Sequence, residues 1–271
     1  AGIVDKAVDY LLQAGKRAMW MSANEEAIVH YTRGLELLNS LPDSAERTER
    51  ELELQIALDA PLLAMQGWGA AERARVCGRA YDLCQQIGSA EQFSQAIFSL
   101  ADLSRAQGEL QRSLDLGQQM LDIAQHTQNP RHVVLAHAAL GETYTFRGQL
   151  NQAHTHLERA LAACNPRQLR ALTALTGPSL DVVCLTWDAW ALWALGYPEQ
   201  ALAQGENAVA RARRLDHSFS LGFALALGDA CLHVLCRDFG VAQEHIAELV
   251  QLSLDHDLAS TQPWVVILQG W

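Results

Sequence analysis

The sequence predicts an all-α chain, an α-solenoid of about six antiparallel helix pairs wound into a right-handed superhelix. Three observations predict it. A small-residue signature recurs: Leu140-Gly141-x-x-Tyr144 with Gly148, Ala153, Leu157 and Ala160; Ala189-x-x-Leu192 with Gly196, Ala201 and Ala208; Leu11-x-x-Ala14-Gly15-x-x-Ala18 with Ala27, Tyr31 and Gly34. Small side chains at fixed helical positions let two helices approach closely, and repeating the pair builds a stack rather than one closed core. Ala, Leu, Gln, Glu and Arg dominate, while β-branched runs with period-two alternation are scarce. Turn signals then separate the apolar-periodic segments at regular intervals.

Each pair has a first helix A and a second helix B. Pair one is expected over residues 4–21 and 24–40, closed by Leu41-Pro42-Asp43, with Asp43-x-x-Glu46 as a capping box for the next helix. Pair two is expected over 45–66 and 70–87, with Gly67-Trp68-Gly69 as its turn; Pro61 inside its first helix should kink or split it. Pair three, over 90–107 and 110–126, opens on the capping box Ser89-x-x-Gln92 and turns at Gly108. Pair four, over 130–147 and 150–164, opens on Asn129-Pro130, with Pro favourable as a first helical residue. Pro166 and a long connection, 165–180, follow. Pair five spans 181–195 and 198–215 around Gly196-Tyr197-Pro198, and pair six spans 218–236 and 240–256. Residues 262–271 read as the first helix of a seventh pair. Equivalent B-helix positions Ser113, Ala153, Ala201 and Ala242 are about 40, 48 and 41 residues apart, longer than the roughly 34 of a standard tetratricopeptide unit.

Composition narrows the function classes. The 271 residues carry a net charge of −11, which works against a nucleic-acid partner, since that would need a basic stripe. Arg211, Arg213 and Arg214 fit a helix C-terminus, where cations complement the dipole. The acidic surface instead favours a partner of basic character. The six cysteines form no C-x-x-C pair and read as small buried hydrophobes in a reducing, cytoplasmic setting. No apolar stretch of about 18 residues runs without polar interruption, so no membrane span is expected. Ten histidines include no pair at the i, i+4 spacing of helical metal ligands. Gly177-Pro178-Ser179 is a loop, not a nucleophile elbow, and pairs such as Glu25-Glu26 fit solvated faces. A non-catalytic chain without cofactor or metal is therefore expected.

Several stretches resemble the tetratricopeptide-like repeat region of large bacterial signalling ATPases. They are residues 26–38 (with Glu26, Ala27, Tyr31, Gly34), 41–43, 53–58, 83–88, 192–202 (with Leu192, Gly196, Tyr197, Pro198, Ala201) and 218–225. Such proteins carry a nucleotide-cyclase or kinase domain, then a P-loop ATPase module, then helical repeats. The pattern is also similar to the repeat arm of large LuxR-type activators. The resemblance implies a protein–protein interaction or regulatory arm, acting on other domains of its own chain or on a separate protein. Its alternative is a sensor that takes a small-molecule inducer in the concave groove. No P-loop lies in 1–271, so no nucleotide-binding residue carries over.

The repeat frame also places candidate groove residues. In a tetratricopeptide unit the groove is lined by A helices. That register gives Phe98, Asp102 and Arg105 in pair three, Glu142 in pair four with Phe146 beside the register positions, and Trp190 and Trp193 in pair five. Trp187, Trp190 and Trp193 lie along one side of a helix, drifting around it; they either fill the core or present an aromatic patch to a ligand. The chain opens without Met and stops inside an apolar pattern, which predicts one repeat array, 1–271, taken from a longer protein. Trp264, Val265, Val266, Ile267 and Leu268 give that end an apolar face, a route to homo-oligomers.

Overall fold

A computed structural model describes residues 2–21, 23–165, 172–173, 176–256 and 258–270. Pro166, and with it most of the first half of the 165–180 connection, lies outside the described residues. Among the described residues there are helices and no strands. In chain order they are α1 (Gly2–Trp20), α2 (Asn24–Leu38), α3 (Ala45–Gln66), α4 (Ala71–Ile87), α5 (Ala90–Ala106), α6 (Leu110–Thr127), α7 (Pro130–Phe146) and α8 (Leu150–Ala163). Then come α9 (Leu180–Ala194), α10 (Pro198–Leu215), α11 (Ser218–Leu235), α12 (Phe239–Asp255), a 3-10 turn (Ala259–Thr261) and α13 (Gln262–Gly270). Each helix packs on the next, and the A helices α3, α5, α7 and α9 also touch in succession. The A helices therefore form the inner row. Residues Ser94 to Arg105 of α5 are buried all round, whereas α8 buries one stripe, Ala153, Leu157 and Ala160.

The turn between A and B helices is the same device used four times. Gly108, Gly148 and Gly196 adopt φ of 81°, 70° and 91°, and Arg237 takes the equivalent place at 64°. In each case the next residue's N–H reaches back to close the helix: Glu109 to the Ser104 carbonyl, Gln149 to Tyr144, Tyr197 to Leu192 and Asp238 to His233, at 2.8–2.9 Å. This is the left-handed C-terminal cap that favours glycine. Small residues set the helix spacing. A Cβ on Gly141 would sit 2.6 Å from Leu157 Cγ, so α7 and α8 meet only because none is there.

Three local expectations change. Pro61 neither splits nor ends its helix; α3 runs through it as one element, with Pro61 buried among Ala57 to Ala64. Packing on both sides outweighs the lost hydrogen bond. The cap of α3 is Ser44, whose hydroxyl accepts from Arg47 N–H at 3.1 Å, rather than the Asp43–Glu46 box. The box at α5 is formed as expected by Ser89 and Gln92. The apolar length of α11 was not foreseen: Ser218–Leu235 has a mean hydropathy of 1.5 and is by length and composition able to span a bilayer. Of that segment 72% is buried within the array, the usual place for a core helix. Its middle, Ala224–Ala230, is a π-helical turn.

The array closes on itself. Trp68, in the turn between α3 and α4, lies against Phe219 (5.8 Å between centroids), Phe223 (6.0 Å) and Trp264 (5.1 Å). Leu63 and Ala64 of α3 pack with Phe219 and Leu258. Pair two thus meets the C-terminal elements, and the inner face becomes a bore.

Candidate functional site

A cavity of about 340 Å³ occupies this bore. Its wall comes from the A helices and the closing residues: Asp59, Phe98, Asp102, Arg105, Glu142, Phe146, Trp187, Phe223, Trp264 and Trp68. Thr176 and Pro178 line it too, so the end of the long connection enters the bore. There the Thr176 hydroxyl bonds to the carbonyls of Leu172 (3.0 Å) and Pro178 (3.1 Å). Ala106 and Phe146 line the cavity and are themselves exposed, which marks its mouth.

Charge runs through the wall as an alternating chain. Asp59 of α3 accepts from Arg73 Nε at 2.7 Å, Arg73 Nη2 meets Asp102 at 2.7 Å, Asp102 pairs with Arg105, and Arg105 Nη2 meets Glu142 at 2.6 Å. Arg73 also donates to the Trp68 carbonyl at 2.8 Å, tying the chain to the closing turn. Arg73 is 1% exposed, and an unpaired charge so deep would cost several kcal/mol. Burial opposes ionisation of Asp59, but the Arg73 charge, with hydrogen bonds from Arg73, Ser99 and Cys77, outweighs it and holds the carboxyl below its usual range. Glu142 goes the other way. Burial pushes it up to about 7, with Asp102 adding to the rise, while Arg105 and the Trp187 indole oppose it. That indole N–H is buried toward the carboxyl yet short of a well-formed hydrogen bond.

Of the groove residues expected from the repeat frame, Phe98, Asp102, Arg105, Glu142 and Phe146 converge on this cavity. Trp190 and Trp193 do not line it. Trp190 packs in the core between α9 and α11, its indole N–H donating to the Leu227 carbonyl at 2.6 Å. Trp193 sits half-buried at the end of α9. Trp187 faces the bore instead, edge-on to Phe146 at 5.0 Å. Asp59, Arg73, Trp68, Phe223 and Trp264 were missed. A signal existed for Asp59, an acid within the apolar run from Ala57 to Ala64. Trp68 read only as part of a turn.

Residues 92–165, from α5 through α8, match the family model described as tetratricopeptide repeat. The chain therefore holds a tetratricopeptide-like repeat region within an all-α solenoid. No curated protein matches its sequence. Among solved structures, a Rap protein complexed with competence and sporulation factor aligns with a TM-score of 0.65 at 12% identity, covering 97% of this chain and 70% of that one. The apo form of RapI gives a TM-score of 0.55 at 12% identity, covering 97% and 71%. BtubC (BKLC) from P. vanneervenii gives 0.50 at 10% identity, covering 94% and 92%. At these identities the likeness is one of fold.

Proposed function

We propose that this chain is a non-catalytic, cytoplasmic regulatory arm of a larger bacterial signalling ATPase, and that it works by taking a small ligand into its bore. The single observation that carries this reading is the cavity. It has the size of a small-molecule site, about 300–1,000 Å³, and combines an aromatic wall with a few convergent charged groups. Its charged groups are paired with one another, and among the described lining residues no nucleophile–base set faces the space, which suits binding rather than chemistry. Binding across the seam between pair two and the C-terminal elements gives the arm two states, open and closed, for a ligand to choose between.

A second reading, a protein-partner arm, is favoured by the tetratricopeptide match at 92–165 and by the Rap structure's being a complex with competence and sporulation factor. The two readings separate through Ala106→Trp, which narrows the mouth from an exposed position without entering the core. In a melting-temperature screen of metabolites, the wild type should gain about 5 °C with its ligand at a hundredfold excess over Kd, and the variant nothing. If no metabolite acts on the wild type and a protein partner binds both forms equally, the partner reading replaces this one.

A further inference from the structure

The balance of charge in the bore specifies the ligand further, given the small-ligand reading above. Among the described residues lining the cavity, three are carboxylates, Asp59, Asp102 and Glu142, and two are guanidiniums, Arg73 and Arg105. Both arginines are already paired with carboxylates. Arg73 serves Asp59, Asp102 and the Trp68 carbonyl; Arg105 serves Asp102 and Glu142. Each guanidinium already faces two carboxylates. The surplus is negative, and it falls at the end of the chain. Asp59 shares Arg73 with Asp102 but takes two of its nitrogens and the Cys77 thiol besides, Asp102 sits between two guanidiniums, and Glu142 has one nitrogen of Arg105, which it shares with Asp102.

The groups beside Glu142 are of the kind that accept a cation. Phe146, one turn further along α7, starts an aromatic arc: Phe146 to Trp187 at 5.0 Å, Trp187 to Phe223 at 6.1 Å, Phe223 to Trp264 at 5.9 Å, Trp264 to Trp68 at 5.1 Å. Ring faces carry partial negative charge and attract ammonium and guanidinium groups. Arg105 already uses Phe146 in this way, its guanidinium carbon 5.6 Å from the ring centre. The other four rings remain.

We propose that the bore binds an organic monocation, its ammonium or guanidinium head against Glu142 and its apolar or aromatic body along Trp187, Phe223 and Trp264. Burial, with Asp102 beside it, raises the Glu142 carboxyl to about 7 against the opposing charge of Arg105. A bound cation holds it as the anion, so binding releases a proton and weakens as pH falls. The same chemistry has two sources, a free amine or a basic side chain of a peptide.

The test titrates the full chain calorimetrically with four probes. These are tryptamine, its neutral analogue tryptophol, its anionic analogue 3-indolepropionate, and an end-blocked Trp-Arg dipeptide. Tryptamine should bind, tryptophol and 3-indolepropionate at least tenfold more weakly, and tryptamine affinity should fall about tenfold from pH 8 to pH 6. Glu142→Gln should abolish both the preference for the cation and the pH dependence, and Ala106→Trp should abolish binding. Binding of the dipeptide alone, with the same dependences, keeps the cation site and assigns its source to a protein segment. Equal binding of the neutral or anionic probe, lost in Ala106→Trp, overturns the cation proposal while the bore remains a ligand site. Cation binding indifferent to Ala106→Trp overturns both, and failure of all four probes overturns the proposal. The wild type's preference for tryptamine over tryptophol at pH 8 is decisive even if a variant folds poorly.

Discussion

Glu142 is the residue on which most of the site's behaviour turns. It is buried, ends the charged chain, and its pKa is pushed up to about 7 by burial, with Arg105 only partly offsetting. A raised carboxyl lowers stability on the alkaline side. The unfolded chain gives up the proton near pH 4.5 and the folded chain holds it to about 7, so stability is full below 4.5, declines through that window and stays reduced above it. The loss is about 3 kcal/mol. Four histidines run the opposite way: burial lowers His132, His137, His156 and His217, the last two to about 4, so their contribution grows as pH rises toward 6.5. The single-site effect therefore shows in a difference. Urea unfolding of wild type and Glu142→Gln from pH 4 to 8 should give curves that diverge by about 3 kcal/mol between 4.5 and 7, then run parallel. Parallel curves throughout would mean that Glu142 keeps its ordinary pKa. The position of this residue was legible in the sequence, because repeat register alone puts Phe98, Asp102, Arg105 and Glu142 on the inner row, with Phe146 beside them. Its partner chain through Arg73 was not, because Arg73 comes from a B helix that the register assigns to the outside.

At the scale of the helix, the tryptophans of α9 show where register stops being enough. A step of three residues turns about 300°, so each Trp falls about 60° behind the last. Over Trp187, Trp190 and Trp193 the row sweeps across about a third of the helix surface. A slip of one residue in the frame decides which ring meets the bore, and pair five follows the long connection that breaks the frame. The structure gives Trp187 to the bore and Trp190 to the seam with α11. There α11 has its π-helical turn, Ala224–Ala230, with Leu227 inside it. Gly205 of α10 lies against the Gly228 carbonyl with no room for a side chain, so two backbones touch where the helix widens. Trp190 supplies a donor to that turn. Trp190→Phe keeps most of the volume and removes the donor; it should cost about 1–3 kcal/mol in chemical unfolding through the unpaired carbonyl. Ligand binding in the bore should survive it. A variant of unchanged stability that no longer binds would move Trp190 into the site. Nothing in the sequence marks this π turn, since it depends on how α9, α10 and α11 fit together.

Across the whole molecule, the feature that register could not supply is the closure. A solenoid is held by neighbour contacts, and those recur along the chain with the small-residue signature, which is why the pairs and their turns were readable in order. Trp68 meeting Phe219, Phe223 and Trp264 is different in kind, joining pair two to pair six and α13. It converts a groove open to solvent into a cavity, and a surface of paired charges into one where water is scarce and each charge counts for more. The side chain of Trp68 is half-buried, and its carbonyl, not its ring, holds Arg73. Trp68→Ala should therefore leave the charged chain and the helices in place while loosening the seam. Circular dichroism should be unchanged, the radius of gyration from small-angle X-ray scattering should rise, and tryptamine affinity should drop at least tenfold. If scattering and affinity both stay put, Leu63, Phe219 and Leu258 hold the seam without Trp68, and closure is a fixed part of the fold. If the radius rises while affinity holds, the ligand is gripped by α5, α7 and α9 alone and closure is its consequence. The expected pairing of expansion with lost affinity would instead make closure a condition for binding, and the ligand's preference for the closed form the means by which the arm changes shape.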